Sequence, residues 1–345
     1  MSEDAKQGSA PGSPAGPADD GARRPLPPYP PNLSHPSLHF VHQMRDVIDF
    51  GEQALATRDV VRSRLPAEGD VFSFAHPDHT KRVLLTEREK FRKSDDFNIA
   101  FGEGLLTVEG EEWSQQRDML QPLFTRDSVM DYADGIVEQI RRRSDRWSDG
   151  DRFDLQSEFT DMTLDVLFAT VLGRELELDG DRRIREAAEA LHDWFIPTSY
   201  LLPNWMPTPA RRRFHEGKAT LQEEAQRLLE EKAGAAPTDP SEAEDLLSLL
   251  VGLREAGVTE SGMLTDERLR DQMVTIIFAG HDPTTTSLTF AFWALANNPE
   301  VRERFHAEVD ELEGPPTMDD VEDLEVTDRV LTETLRLFPP VYSLP

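Results

Sequence analysis

The 345-residue chain carries 66 Asp and Glu against 37 Lys and Arg, a formal net charge of -29, with 38% hydrophobic residues and no cysteine. That charge repels phosphate backbones and anionic lipid, so neither nucleic acid nor a membrane is an expected partner. The missing cysteine removes disulfides, thiolate metal sites and cysteine nucleophiles from this chain.

The length is enough for a large core, and no apolar run is long enough to cross a bilayer. No secretory segment precedes the first polar residues, so a cytoplasmic protein is expected. Arg dominates the basic residues, and the acids are spread along the whole chain rather than gathered in a tail. This is the expected surface of a halophilic protein, whose self-repulsion is screened by dense salt.

In chain order, residues 1–36 are rich in Pro, Gly, Ala and Asp and poor in aliphatics. Such a segment buries too little surface to offset the entropy of ordering, which predicts a disordered tail followed by one domain over 37–345. From Ser37 the pattern SLHFVHQMRDVIDFGEQALATR suits a helix. VVRSRL and DVFSFA, separated by Pro-Ala-Glu-Gly, predict a hairpin. Pro77 and Asp78 open a predicted helix over 77–90. Everything from about 110 to 335 is dominantly helical, with turns at SDGDRFD, LLPNWMPTP, AGAAPTDPS and ELEGPPTMDD. The fold class is therefore mostly α with a small β element.

The longest predicted helix starts at a Thr265 cap, carries Asp266 and Glu267 in its first turn, and ends at Asn297-Asn298-Pro299. Its middle, MVTIIFAG, has apolar or small residues on every face, which predicts passage through the core. The stretch FAGHDPTTTSLTF, residues 278–290, interrupts it. Ala279 and Gly280 leave room for a flat ligand or another backbone. Asp282 places a carboxylate in an apolar setting, where it must be paired or do proton work. Pro283 frees the carbonyl of Ala279, which the hydroxyls of Thr284 to Thr286 or a water could satisfy. A purely structural kink accounts for the same residues.

Two further segments are weak alone. Trp113 and Arg117 lie one helical turn apart, so an indole N–H and a guanidinium could converge on one carboxylate. Glu333 and Arg336 share a helix face before Pro339-Pro340. Order and spacing join the three signals. A Trp-x-x-x-Arg helix, an Ala-Gly-x-Asp helix and Glu-x-x-Arg-x-x-Pro-Pro, in that sequence, resemble the cytochrome P-450 family of haem-thiolate monooxygenases. The resemblance covers residues 37–345, including ANNPEVRERFHAEVDEL.

The resemblance implies haem as cofactor, dioxygen and a small lipophilic compound as substrates, and a ferredoxin-type electron donor. Ala279 and Gly280 would lie over the porphyrin, with Asp282 and Thr284 relaying protons during oxygen activation. Trp113 and Arg117 would bind a haem propionate, and Glu333 with Arg336 would be a structural clamp. Substrate would touch 95–107, 194–208 with Trp194, Phe195 and Trp205, and Val341 to Leu344.

The chain departs from the family pattern twice. The family's alcohol follows the acid directly, whereas here Pro283 intervenes and Thr284 comes one later. The family's axial cysteine lies well beyond the Glu-x-x-Arg helix, and the chain stops nine residues after Arg336. The expectation is a P-450 domain truncated before its haem-ligand region, with an inactive remnant as the alternative. A helical carrier binding haem or lipid through histidine is the third reading. His35, His39 and His42 cluster without a carboxylate, and His281 points away from the face of Asp282, so no metal ligand is assigned among them.

Overall fold

The computed structural model describes residues 58–65, 69–93, 95–196, 205–234, 245–257 and 264–341, with isolated positions at 27–56, 202 and 243. The tail expected over 1–36 and the helix expected from Ser37 fall largely outside the described residues. The chain divides into two compact units, Met1–Lys81 and Arg82–Pro345.

In the first unit, β1 (Val60–Leu65) pairs antiparallel with β2 (Gly69–Phe74), from Val60 opposite Phe74 to Leu65 opposite Gly69. This is the hairpin expected from two β-prone runs around a Pro-Gly turn. Tyr29 donates to Asp70 Oδ1 at 3.0 Å, and the Arg62 guanidinium lies 4.1 Å above the Tyr29 ring. The helix expected over 77–90 is instead a sequence of short turns: α1 (Pro77–Lys81), a π-turn at Arg82–Thr86 and a 3₁₀ turn at Arg88–Lys90. None of these turns buries a residue, and without a buried face there is little to hold a continuous helix.

The second unit is helical. Its elements are α2 (Asp95–Phe101), α3 (Gly110–Leu120), α4 (Arg126–Ser144), α5 (Leu155–Val171), α6 (Arg182–Ala190), α7 (Pro209–Lys232), α8 (Leu246–Glu255), α9 (Asp266–Asn297), α10 (Pro299–Val309), α11 (Met318–Val321) and α12 (Glu325–Leu337). Side-chain caps start most of the long ones. Thr125, Asp154, Thr208, Asp245 and Thr265 each accept from the backbone N–H three residues on, satisfying a donor that has no partner within the helix.

The helix α9 has the bounds its sequence signals predict. It packs chiefly against α5 and α7. Leu269, Met273, Val274 and Ile277 join Leu164, Leu167, Phe168, Phe214, Leu221 and Leu250 in one buried cluster. Burial all round, expected for its middle, holds only as far as Ile277. From Ala279 onward the helix comes to the surface, with Ala279, Thr284, Phe290, Phe292 and Trp293 exposed. Phe290 stacks on α12's neighbour Phe338 at 4.5 Å, and Trp293 meets the same ring edge-on at 5.7 Å.

The close approach of α6 to α7 depends on Gly217, where a Cβ would stand 2.8 Å from the Ala187 carbonyl oxygen and from Ala190 Cβ. A charged knot ties α4, α5 and α6. Asp165, fully buried, receives Arg143 Nε at 2.9 Å and an Arg185 nitrogen at 2.5 Å, while Arg143 also reaches Glu158 and Asp161 at 3.3 Å. Removing one member of such a knot strands the other charges in a dry setting. Asp165→Ala is therefore expected to cost about 3–5 kcal/mol, seen as a lowered urea midpoint at unchanged slope, whereas a change under 1 kcal/mol would show the knot to be solvated.

Candidate functional site

The interruption in α9 is built without breaking the helix. Pro283 sits inside it, and the hydroxyls that follow turn back onto the carbonyls four residues before them. Thr284 Oγ1 donates to Gly280 O at 3.0 Å, Ser287 to Pro283 O and Thr289 to Thr285 O, both at 2.8 Å. Thr284 thus bonds the carbonyl of Gly280 rather than the Ala279 carbonyl freed by proline, because a helical hydroxyl reaches the carbonyl four residues back.

The small residues divide their roles. Gly280 faces α5: a Cβ there would stand 2.4 Å from Leu167 Cδ1, so its bareness serves helix packing. Ala279 is exposed and leaves the other face open. Next to the packing contact, Thr285 is buried with its Oγ1 2.7 Å from Thr163 Oγ1. His281 is also buried, and its Nδ1–H donates to Ile277 O at 2.8 Å. Burial holds its pKa below the usual histidine value, so it is a neutral, satisfied core residue.

Asp282 is half-buried and is not left alone. Its Oδ1 lies 3.0 Å from Nε2 of His192, in the 3₁₀ turn Leu191–Trp194 that continues α6. Sequence reasoning missed this partner, since nothing in LHDW signals which of its residues meets α9. On the far side of Thr284, α9 and α12 enclose a cleft of about 260 Å³ lined by Pro283, Thr284, Ser287, Leu331, Thr334 and Leu335.

On α3, Trp113 is half-buried and Arg117 exposed. The Arg117 guanidinium lies 5.3 Å from the Trp113 ring centroid, and that of Arg88 lies 5.7 Å from the same ring. Among the described residues neither guanidinium has a carboxylate partner, in a chain with 66 acids. Two unneutralised guanidiniums around one indole form a site for an anionic, planar or carboxylate-bearing group. Arg88 was not identifiable from sequence, because TEREKFR holds three basic residues of equal standing.

Glu333 and Arg336 form a two-pronged pair, with Nε to Oε2 at 2.7 Å and a terminal nitrogen to Oε1 at 2.6 Å. The pair stands more than half exposed. The structure does not bring it to Trp113 or Asp282 by any hydrogen bond or ion pair among the described residues.

The regions expected to touch substrate are sorted by burial. Trp194 is a core residue, its ring 4.9 Å from that of Phe214. Phe195 instead joins an aromatic cluster, 5.1 Å from Phe278 and 6.0 Å from Phe101, with Phe101 4.7 Å from Phe278. Trp205 is 79% exposed, and residues 342–345 lie outside the described residues. His39 is buried with its ring 5.5 Å from Tyr29, and His42 lies outside the described residues. Among the described residues no group of His, Cys, Asp and Glu is gathered as a metal site, and no helix is long and apolar enough to cross a membrane.

Known proteins resemble this chain in sequence and in fold. The family model for cytochrome P450 matches residues 57–345. Pentalenene oxygenase of Streptomyces avermitilis is 29% identical over 316 residues, covering 88% of this chain and 68% of that protein. Cyclooctat-9-en-7-ol 5-monooxygenase of Streptomyces melanosporofaciens is 31% identical over 80% of this chain and 62% of its own length. A self-sufficient cytochrome P450 monooxygenase of Phanerodontia chrysosporium is 28% identical over 70% of this chain and 23% of its own. In fold, the heme domain of cytochrome P450DA superposes with a TM-score of 0.73 at 23% identity, over 90% of this chain and 69% of that one. The chain thus spans about two thirds of the length of the Streptomyces relatives. On the family match over 57–345 and the Streptomyces similarity, the chain belongs to the cytochrome P450 family of haem-dependent monooxygenases.

Proposed function

We propose that the protein supplies the distal wall and propionate site of a monooxygenase that inserts one atom of dioxygen into a lipophilic compound. One observation carries this reading: the Arg88 and Arg117 guanidiniums lie 5.7 and 5.3 Å from the Trp113 ring centroid, and among the described residues neither pairs with a carboxylate. Two exposed guanidiniums beside one indole offer charge-assisted hydrogen bonds to an anion, and a haem propionate is the anion that the family supplies. The site fits haem on that side. It does not supply the family's axial ligand, since none of the 345 residues is cysteine.

When bound, haem supplies the redox chemistry that activates dioxygen. The chain's own residues do the rest. Arg88, Trp113 and Arg117 hold the propionate. Ala279 on α9 leaves the open face on which the flat group rests, with Gly280 beside it closing the contact to α5. The Asp282 carboxylate takes up a proton from solvent only in transit, and Thr284 Oγ1, anchored on Gly280 O at 3.0 Å, passes it on at the edge of the cleft. Glu333 and Arg336 stiffen α12. Phe101, Phe195 and Phe278 exclude water and favour an apolar substrate; the Streptomyces relatives are named for pentalenene and cyclooctat-9-en-7-ol.

The finer parts of this reading concern setting and partners. The excess of acid over base supports a halophilic protein in a salt-rich cytoplasm. A small acidic ferredoxin is proposed as the electron donor, docking with the help of salt. The name of the Phanerodontia relative points to the other arrangement, a donor carried on the same chain. A second function, a protein without catalysis of its own, is favoured by the absence of cysteine. The optical spectrum of the reduced carbon monoxide adduct separates the two, since it reports whether sulfur, nitrogen or nothing stands opposite the gas.

Two outcomes are expected. Arg117→Ala and Arg88→Ala should each weaken haem uptake about tenfold or more in an absorption titration, a hydrogen bond to a charged group being worth about 1.5–3 kcal/mol; unchanged uptake would remove the trio from the site. Thr284→Val should raise the hydrogen peroxide released per electron consumed in the haem-loaded protein, and unchanged coupling would remove Thr284 from proton delivery.

A further inference from the structure

The contact between His192 and Asp282 joins two elements far apart in sequence, at the edge of the protein surface. Asp282 Oδ1 lies 3.0 Å from His192 Nε2, with the carboxylate 29% and the imidazole 49% exposed. The hydrogen bond to Asp282 is the main cause that raises the His192 pKa above the usual histidine value. Other groups around the ring are accounted for. Asp193 and Glu189, on its own element, add to the same direction, and Asp193 is itself 3.4 Å from Arg213 of α7. From α9 the ring meets Phe278, at 6.2 Å between centroids, while His281 is neutral and buried beside Asp282. His192 is therefore the cation that faces the proton-carrying acid.

We propose that His192 is the positioning residue for Asp282: as an imidazolium it holds the carboxylate in one orientation on α9, and on losing its proton it lets the carboxylate go. This rests on the monooxygenase reading for its consequence, but not for its existence, since the pair is built from the chain's own residues. No bond to substrate or cofactor is involved. The proton that leaves His192 passes to water at the half-exposed ring, and the net charge of the pair changes from zero to -1.

The sign follows from linkage. A histidine whose folded pKa is raised contributes stability that is fully present below the unfolded value of about 6.5 and is lost as pH rises through the folded value. The hold on Asp282 follows the same curve, strong at mildly acidic pH and gone on the alkaline side.

The test begins without pigment. Proton–carbon NMR of the imidazole should show His192 titrating above about 6.5 in the wild-type chain and returning toward that value in Asp282→Asn. An identical midpoint in both would overturn the proposal. In the haem-loaded protein, peroxide released per electron should rise with pH along the same curve, stay high and flat in His192→Gln, and stay low and flat in His192→Arg, whose cation is permanent. A flat wild-type profile, or a rise that persists in the Arg variant, would also overturn it. Failure to take up haem would count against the monooxygenase reading alone, because the NMR titration still reads the pair.

Discussion

The structure depends on one helix having two unlike sides. α9 must give up its apolar residues to α5 and α7 while keeping the exposed position at Ala279 small. Gly280 makes the first possible by letting Leu167 approach to where a Cβ would stand, and the buried hydroxyl pair Thr163–Thr285 continues the contact without leaving a polar group unsatisfied. Ala279, on the neighbouring position, provides the second. A bulkier pair of residues at 279 and 280 would fail on both counts, since the helix would be pushed from its neighbours and its open face filled.

Proline inside this helix is tolerated because the packing of α9 against α5 and α7 holds the helix on both sides of it. The lost backbone bond costs roughly 3 kcal/mol in an ordinary helix interior; the hydroxyl bonds to the carbonyls of Gly280, Pro283 and Thr285 do not restore it at Ala279 but reinforce the turns around it. The same bonds fix Thr284 at the rim of the cleft against α12. Stability and site geometry are in this respect one arrangement, which is why so many short polar residues sit in an otherwise apolar rod.

Much of the fold was legible in sequence because it is dictated locally. Thr265, Asp266 and Asn297 bound α9 by capping and dipole effects, and the Pro-Ala-Glu-Gly turn set the hairpin. The segment 77–90 was misjudged because Pro77 and Asp78 are good starting signals with no buried face behind them. At the site, the spacing of Trp113 and Arg117 and the composition at 279–284 were readable within single elements. Arg88 and His192 were not, because each acts across a tertiary contact that its own neighbours do not encode. The face of Gly280 was equally hidden: a missing side chain does not say which neighbour takes the space.

Electrostatically the chain is an acidic shell with a few exceptions that matter. Arg143 and Arg185 are consumed by the knot around Asp165, and His192 by Asp282, whereas Arg88 and Arg117 meet the Trp113 indole and, among the described residues, no carboxylate. The account's central claim is that the open face at Ala279 receives the flat cofactor. Haem titrated into Ala279→Trp protein, followed by absorption with far-UV circular dichroism as a control on folding, tests it most directly. The account predicts that uptake falls at least tenfold with the helical signal intact, since the residue is exposed and its replacement disturbs no packing. Uptake equal to that of the wild-type chain would contradict it.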